Sequence, residues 1–210
     1  MKNKYLLKAP PDFFQACDVR FSDFKMGYAI NSHLWALVKT IYDQNYPKKR
    51  TENPVPKTLH FIWLGGEIPE HYVTNINDWS KKNSNFTVEI WTDEDAKNFP
   101  MKNRDIFEKV TNLGMKSDIF RYEILYQQGG VYLDTDFFCL QPLDDLNEMY
   151  DFYSCIYLDR EPVAGNGMIG CSPKHEILRY CIEDMTLDVP KNIQKFTKDE
   201  QVMFLTGPMY

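Results

Sequence analysis

KSDIFRYEILYQQGGVYLDTDFF, residues 116–138, places a helical pattern, a two-glycine turn and a strand pattern in direct succession. Ser117 stands where a helix over Asp118–Gln128 would take its cap. Ile119, Phe120, Ile124 and Leu125 recur at the spacing that turns one helical face inward. Gly129-Gly130 closes the helix, and VYLDTDFF (131–138) follows as a β-rich run. A two-residue period sends Tyr132, Asp134 and Asp136 to one side of that strand and Val131, Leu133 and Thr135 to the other. Working outward, TLHFIWL (58–64), FTVEIWT (86–92), FYSCIYL (152–158) and GMIGC (167–171) are further strand candidates, and residues 175–186 form another helical segment. Runs that are apolar without clean alternation fit strands covered on both faces, as in a parallel-rich sheet. Helices interleaved with such strands predict an α/β layer architecture.

The pair Asp134/Asp136 concentrates the chemistry. Two carboxylates at the end of an apolar strand are costly unless paired, hydrated or metal-bound. Their spacing suits a hard divalent cation, Mn²⁺ or Mg²⁺, which prefers oxygen ligands and commonly keeps phosphate oxygens and water. Two carboxylates cannot complete an octahedral shell, so a diphosphate would complete it. An ion pair or a solvated turn is the competing reading. The triplet Asp93-Glu94-Asp95 has the same spacing, but it follows FTVEIWT and begins a helix, where acids favour the first turn.

Asp118 and Arg121 are three apart on the preceding helix. They form either a local ion pair, worth ~0.2–0.5 kcal/mol if exposed, or a ligand-facing pair beside the acidic strand. Trp63 precedes Gly65-Gly66 at the C-terminal end of the first strand, where open α/β sheets place ligands. Its indole could stack on a nucleobase while the glycines let backbone amides approach; a core Trp before an ordinary turn is the alternative. Asn166, inside GNGMIG (165–170), sits in a turn that could hold a sugar hydroxyl or a phosphate, and Asn-Gly is equally a common turn. His60 reads as a satisfied core histidine, Trp79 and Trp91 as packing, and His175 as a weak site candidate at a helix start.

The 210 residues are 43% hydrophobic, 15% aromatic and 26% charged, which argues against disorder and rod-like structure. The net charge of -6 offers no general attraction to nucleic acid or anionic lipid. No apolar run approaches the ~18 residues of a membrane helix, and the start, MKNKYLLKAPPDFF, does not resemble a signal peptide. Five cysteines (Cys17, Cys139, Cys155, Cys171, Cys181) without paired spacing fit free thiols, and so a cytoplasmic setting. Residues 1–50 form a helical N-terminal extension in this reading. There, Ile30–Tyr42 carries Leu34, Leu37, Val38 and Ile41 as one stripe with Trp35 beside them, before the proline-rich linker QNYPKKRTENPVPK. Residues 51–210 form the main domain.

VPKTLHFIWLGGEIP (55–69), KSDIFRYEILYQQGGVYLDTDFFCLQPLD (116–144) and NGMIG (166–170), in that order, resemble the glycosyltransferases with a sugar-binding region containing a DXD motif. That family includes yeast α-1,6-mannosyltransferases, bacterial capsule and surface-polysaccharide transferases and, more distantly, the glucosylating domains of large clostridial toxins. The resemblance spans about residues 55–208. It implies a GT-A (Rossmann-like) α/β fold, Mn²⁺ or Mg²⁺ as cofactor, and hexosyl transfer with retention of configuration. The donor would be a UDP- or GDP-sugar and the acceptor a saccharide or glycolipid, with peripheral membrane association compatible. In that mapping Trp63 stacks on the base, with Gly65 and Gly66 beside it, and Tyr132 lines the nucleotide. Asp118 and Arg121 hold the donor sugar and its phosphate side, and Asn166 is a polar donor-sugar residue. Asp134 contacts the ribose and, through water, the metal; Asp136 ligates the metal directly. In related chains a further segment follows the TGP-like turn and helps to close the donor site. The ending at TGPMY therefore predicts a catalytic domain cut short at its C-terminus.

Two other readings use the same pocket. A nucleotidyltransferase would share metal and nucleotide and differ in the atom attacked. A nucleotide-sugar- or glycan-binding module would keep the pocket without turnover.

Overall fold

The computed structural model describes residues 33–45, 51–158 and 162–188, together with 191, 194, 195, 197, 201 and 204–207. The chain divides into two compact units, Met1–Lys49 with Ile156–Val163, and Arg50–Cys155 with Ala164–Tyr210. In the first, helix α1 (His33–Asn45) buries Trp35 completely. The expected stripe does not face inward: Leu34, Leu37 and Ile41 are all exposed. A single large indole, rather than the aliphatic row, is the buried anchor of this helix.

The second unit contains β1 (Thr58–Ile62), α2 (Glu70–Lys82), β2 (Thr87–Trp91), α3 (Asp93–Asn98), α4 (Arg104–Lys109), α5 (Leu113–Gln128), β3 (Gly130–Leu133), α6 (Asp144–Met149) and α7 (Glu176–Glu183). The last strands, β4 (Phe152–Leu158) and β5 (Pro162–Cys171), complete a five-stranded sheet of order β2-β1-β3-β5-β4. β1 pairs in parallel with β2 and β3, and β3 pairs antiparallel with β5, opposing Tyr132 to Ile169. This is the predicted α/β architecture.

β1 and β3 are buried almost without interruption, as two-sided apolar runs require. Leu59, Phe61, Val131 and Leu133 enter one apolar cluster with Ile76 and Trp79 of α2. Ile62, Tyr132, Ile169 and Cys171 enter the other, with Ile119, Phe120, Ile124 and Leu125 of α5. Helices therefore cover both faces. β2 departs from the expectation, for as an edge strand it leaves most of its side chains exposed or half-exposed.

The central helix α5 begins four residues before the expected cap. Asn112 is the N-cap, its side chain accepting from the Met115 amide at 2.9 Å, so Ser117 lies inside the helix. Asp118 through Leu125 are all buried, because α5 packs on β3, α4 and α7. Gly129 ends α5 with φ +67°, and Gly130 opens β3 with φ +98°. A Cβ on Gly130 would lie 2.6 Å from His60 Nε2 and 2.8 Å from the Thr58 carbonyl, so strand contact there requires glycine.

His60 is the satisfied core histidine that its strand context suggests. Its Nδ1 accepts from the Trp91 indole at 3.1 Å, which leaves Nε2–H to donate to the Gly129 carbonyl at 2.9 Å. Burial lowers its pKa to about 4, keeping it neutral. Asp93-Glu94-Asp95 starts α3 as expected, with Thr92 and Asp95 forming a capping box.

Candidate functional site

β3 ends at Leu133, so the acidic pair is not carried on the strand as expected. Asp134 leaves the sheet, and Thr135-Asp136 form a turn closed by the Phe137 amide donating to the Asp134 carbonyl at 3.0 Å. A strand alternation therefore does not set where the two carboxylates point. The turn is held from outside. Asn75 of α2 donates to the carbonyls of Thr135 (2.7 Å) and Phe137 (2.6 Å), and the Trp79 indole donates to Phe137 at 2.7 Å. On the other side the Asp134 amide donates to the Gly167 carbonyl at 2.8 Å. A Cβ on Gly167 would stand 2.6 Å from Asp134 Oδ2, so this approach depends on glycine.

Arg121 lies at the centre, 4% exposed. Its Nη2 is 3.0 Å from Asp118 Oδ1 and 3.3 Å from Asp134 Oδ1, and Nη1 donates to the Asn166 carbonyl at 2.7 Å. Its guanidinium also covers the Tyr132 ring at 4.3 Å, a cation–π contact in a dry setting. Tyr132 donates its hydroxyl to Asp134 Oδ1 at 2.7 Å. Burial works against the Arg121 charge, but Tyr132, Asp118 and Asp134 outweigh it and hold the pKa above the usual value. The helix thus brings Asp118 and Arg121 to the acidic turn as the sequence suggests, in a buried network rather than a surface pair.

Both oxygens of Asp118 are engaged. Oδ1 accepts from the Asn166 side-chain amide at 2.9 Å, and Oδ2 accepts from the Thr206 hydroxyl at 3.0 Å. Burial pushes its pKa up to about 6 against the opposing pull of Arg121, Thr206 and Asn166. Asp134 is also raised, first by burial and further by the charge of Asp136, with Arg121 and Tyr132 pulling it down. Asp136 is exposed, and among the described residues no hydrogen bond or ion pair engages its carboxylate.

These groups line an open cleft of about 460 Å³, whose lining includes Asp118, Arg121, Tyr132, Asp134 and Asp136 together with Trp63 and Tyr72. The Trp63 and Tyr72 rings pack 5.1 Å apart, so the indole stands at the cleft rather than in either apolar core. Gly65 and Gly66 do not line this cleft. The Gly65 amide donates to Asp93 Oδ2 at 2.8 Å, and a Cβ there would meet Leu113 at 2.6 Å, so Gly65 ties the turn after β1 to the start of α3. His175 caps α7, its ring accepting from the Ile177 amide at 3.3 Å, and it is absent from the cleft lining.

The donor set can be tested against a divalent cation. Among the described residues no three His, Cys, Asp or Glu side chains converge on one point. Asp136 is free, and Asp134 keeps Oδ2 while Oδ1 is engaged. Two hard oxygen donors beside an open cleft fit an ion whose remaining ligands are substrate oxygens and water.

Sequence reasoning did not single out Asn75, Trp79, Gly167 or Thr206 for the site. Asn166 and Gly167, expected in a turn, lie instead inside β5, where pairing beside β3 keeps the chain extended, and Thr206 lies in the TGP turn. Asn75 and Trp79 show only the helical i, i+4 spacing.

Comparison with known proteins agrees with this arrangement. Residues 69–153 match the family described as "Glycosyltransferase sugar-binding region containing DXD motif". Inositol phosphoceramide mannosyltransferase 1 of Schizosaccharomyces pombe is 30% identical over 164 residues, covering 74% of this chain and 50% of its own length. Subversion of eukaryotic traffic protein A of Legionella pneumophila is 28% identical over 187 residues, covering 72% of this chain and 28% of its own. The chain thus spans half or less of these two relatives. The solved PaToxG glycosyltransferase superposes with a TM-score of 0.61 at 20% identity, over 88% of this chain and 77% of that one, which bears out the GT-A fold.

Proposed function

From a chain that carries the DXD sugar-binding region of the glycosyltransferases, we propose a transferase that moves a hexosyl group from a nucleotide-diphosphate sugar to a saccharide or glycolipid hydroxyl. The observation that carries this reading is the division of labour among the cleft carboxylates: Asp118 and Asp134 are fixed on one buried Arg121, while Asp136 stands free beside them. Trp63 stacks on the base of a UDP- or GDP-sugar, and Tyr132 shapes the nucleotide side. Asp118 and Asn166 receive the sugar. Asp134 and Asp136 hold Mn²⁺ or Mg²⁺, which when bound supplies positive charge against the departing diphosphate.

In the transfer, the bond between the anomeric carbon and the phosphate oxygen breaks with its electron pair leaving on the diphosphate. Arg121 adds positive charge behind that group in a low-dielectric setting, and it keeps both carboxylates aimed. The acceptor oxygen bonds to the anomeric carbon on the same face, and its proton passes to the leaving phosphate. Retention is proposed from the resemblance of the 55–170 motifs to retaining transferases, with Asp134 and Asp136 given to the metal in this reading. A cytoplasmic setting is proposed from the free thiols of Cys139, Cys155, Cys171 and Cys181, and a role in capsule or surface-polysaccharide synthesis is compatible with this chemistry.

The test is a panel of nucleotide-sugars incubated with the protein and Mn²⁺ or EDTA, scored for release of free diphosphate and for the anomer of the released sugar. Metal-dependent release with retained configuration is expected. Absence of binding and hydrolysis across the panel would sink the proposal, whereas binding without release would favour a non-catalytic module.

A further inference from the structure

Thr206 is remote in sequence from every other group of the site, yet it is fully buried and held from three directions. Its hydroxyl donates to Asp118 Oδ2 at 3.0 Å. Its carbonyl accepts from the Tyr122 hydroxyl of α5 at 2.9 Å and, more distantly, from the Asn166 side-chain amide of β5 at 3.4 Å. The same Asn166 amide donates to Asp118 Oδ1 at 2.9 Å. Residues 118, 122, 166 and 206 thus form a small closed ring of polar contacts.

The two oxygens of Asp118 are not equivalent within that ring. Oδ1 accepts from both Asn166 and Arg121, which fills its two lone-pair directions. Oδ2 accepts only from Thr206 among the contacts described, which leaves one of its lone-pair directions unfilled on a residue that lines the cleft. A substrate hydroxyl that reaches Asp118 must therefore use Oδ2, and the Thr206 hydroxyl decides where the remaining lone pair points.

We infer that Thr206 is a positioning residue that aims Asp118 Oδ2 at a hydroxyl of the donor sugar, so that the 204–207 segment governs affinity for the sugar half of the donor and not for its nucleotide half. The inference rests on the proposed donor site, and it predicts a split that general loosening of the fold would not produce. Thr206→Val keeps the shape and removes the donor; Thr206→Ser keeps the donor and removes the methyl group.

The experiment is calorimetric titration of the full chain and both variants with UDP-glucose and GDP-mannose, each alongside free UDP and GDP, in Mn²⁺. Thermal unfolding of each variant is recorded in parallel. For the diphosphate-sugar that the unaltered protein binds, Thr206→Val should weaken affinity on the order of tenfold, as expected for loss of a hydrogen bond to a charged group. It should leave the free diphosphate within about twofold, and Thr206→Ser should restore sugar-nucleotide affinity. Equal weakening of both ligands, or no weakening of either, overturns the positioning role while the donor site stands. An unaltered protein that binds none of the four ligands overturns the donor site itself, and this inference with it.

Discussion

The hydroxyl of Tyr132 donates to Asp134 Oδ1 at 2.7 Å, which ties the last turn of β3 to the first acid of the DxD triplet. Arg121 reaches the same oxygen at 3.3 Å while lying over the Tyr132 ring. Asp134 Oδ1 is therefore held by a phenol and a guanidinium together, and Oδ2 is the atom left to face a ligand. Tyr132→Phe preserves the ring beneath Arg121 and deletes one donor. It should destabilise the fold by about 1 kcal/mol and weaken metal-supported donor binding several-fold. Chemical unfolding and titration with and without Mn²⁺ check the two effects separately. Unchanged binding would detach Tyr132 from the site.

Asp136 offers a cleaner separation of function from folding. It is exposed and has no partner to lose, so Asp136→Asn should leave the unfolding midpoint unchanged within about 0.5 kcal/mol. Metal-dependent hydrolysis of the donor should fall by two orders of magnitude or about that, the scale of removing one transition-state charge contact. The measurement is initial rate against Mn²⁺ concentration. A normal rate with normal metal dependence would remove Asp136 from the metal site.

What the sequence made legible and what it hid follow one physical division. The heart of β1 and of β3 could be read because apolar, β-rich runs report burial locally. The start of α5 could not: its cap is Asn112, and Gly114 in its first turn is a poor helical signal, whereas Ser117 looks like a cap and lies inside. The departure of Asp134 and Asp136 from the strand was hidden because Asn75 and Trp79, some sixty residues earlier, set the path of that turn. Thr206 was hidden for the same reason, its partner Asp118 being eighty-eight residues away. The acid residues themselves were legible from spacing and context, but their inequality depends on contacts between distant segments.

Trp63 decides whether the cleft receives a base. Its ring leans on Tyr72 at 5.1 Å and belongs to neither apolar core, so Trp63→Ala should disturb folding little. Stacking of a base on an aromatic ring is worth about 1–3 kcal/mol, which predicts a loss of free-diphosphate affinity of tenfold or about that. The same variant should leave the affinity ratio between nucleotide-sugar and free nucleotide nearly constant, in contrast to Thr206→Val. Equal binding of UDP by the variant and the unaltered protein would return Trp63 to a packing role.

Asp118 predicts opposite pH trends for stability and for binding. Burial raises its pKa from 3.8 to about 6, so between those values the native chain holds a proton that the unfolded chain has released. The native state then binds more protons, and linkage requires the contribution of this group to stability to fall as pH rises from about 4 to about 6. Accepting a sugar hydroxyl needs the carboxylate, so affinity for a nucleotide-sugar should rise as pH passes about 6. Asp118→Asn removes the contribution of this group to both trends, because the amide does not titrate. Urea unfolding across that range should show a less negative slope of stability with pH for the variant, and its weaker donor binding should depend on pH less steeply there, the raised Asp134 supplying the remainder. If the unaltered protein and the variant share the same two slopes, Asp118 is ionised throughout, and burial does not dominate its charge state.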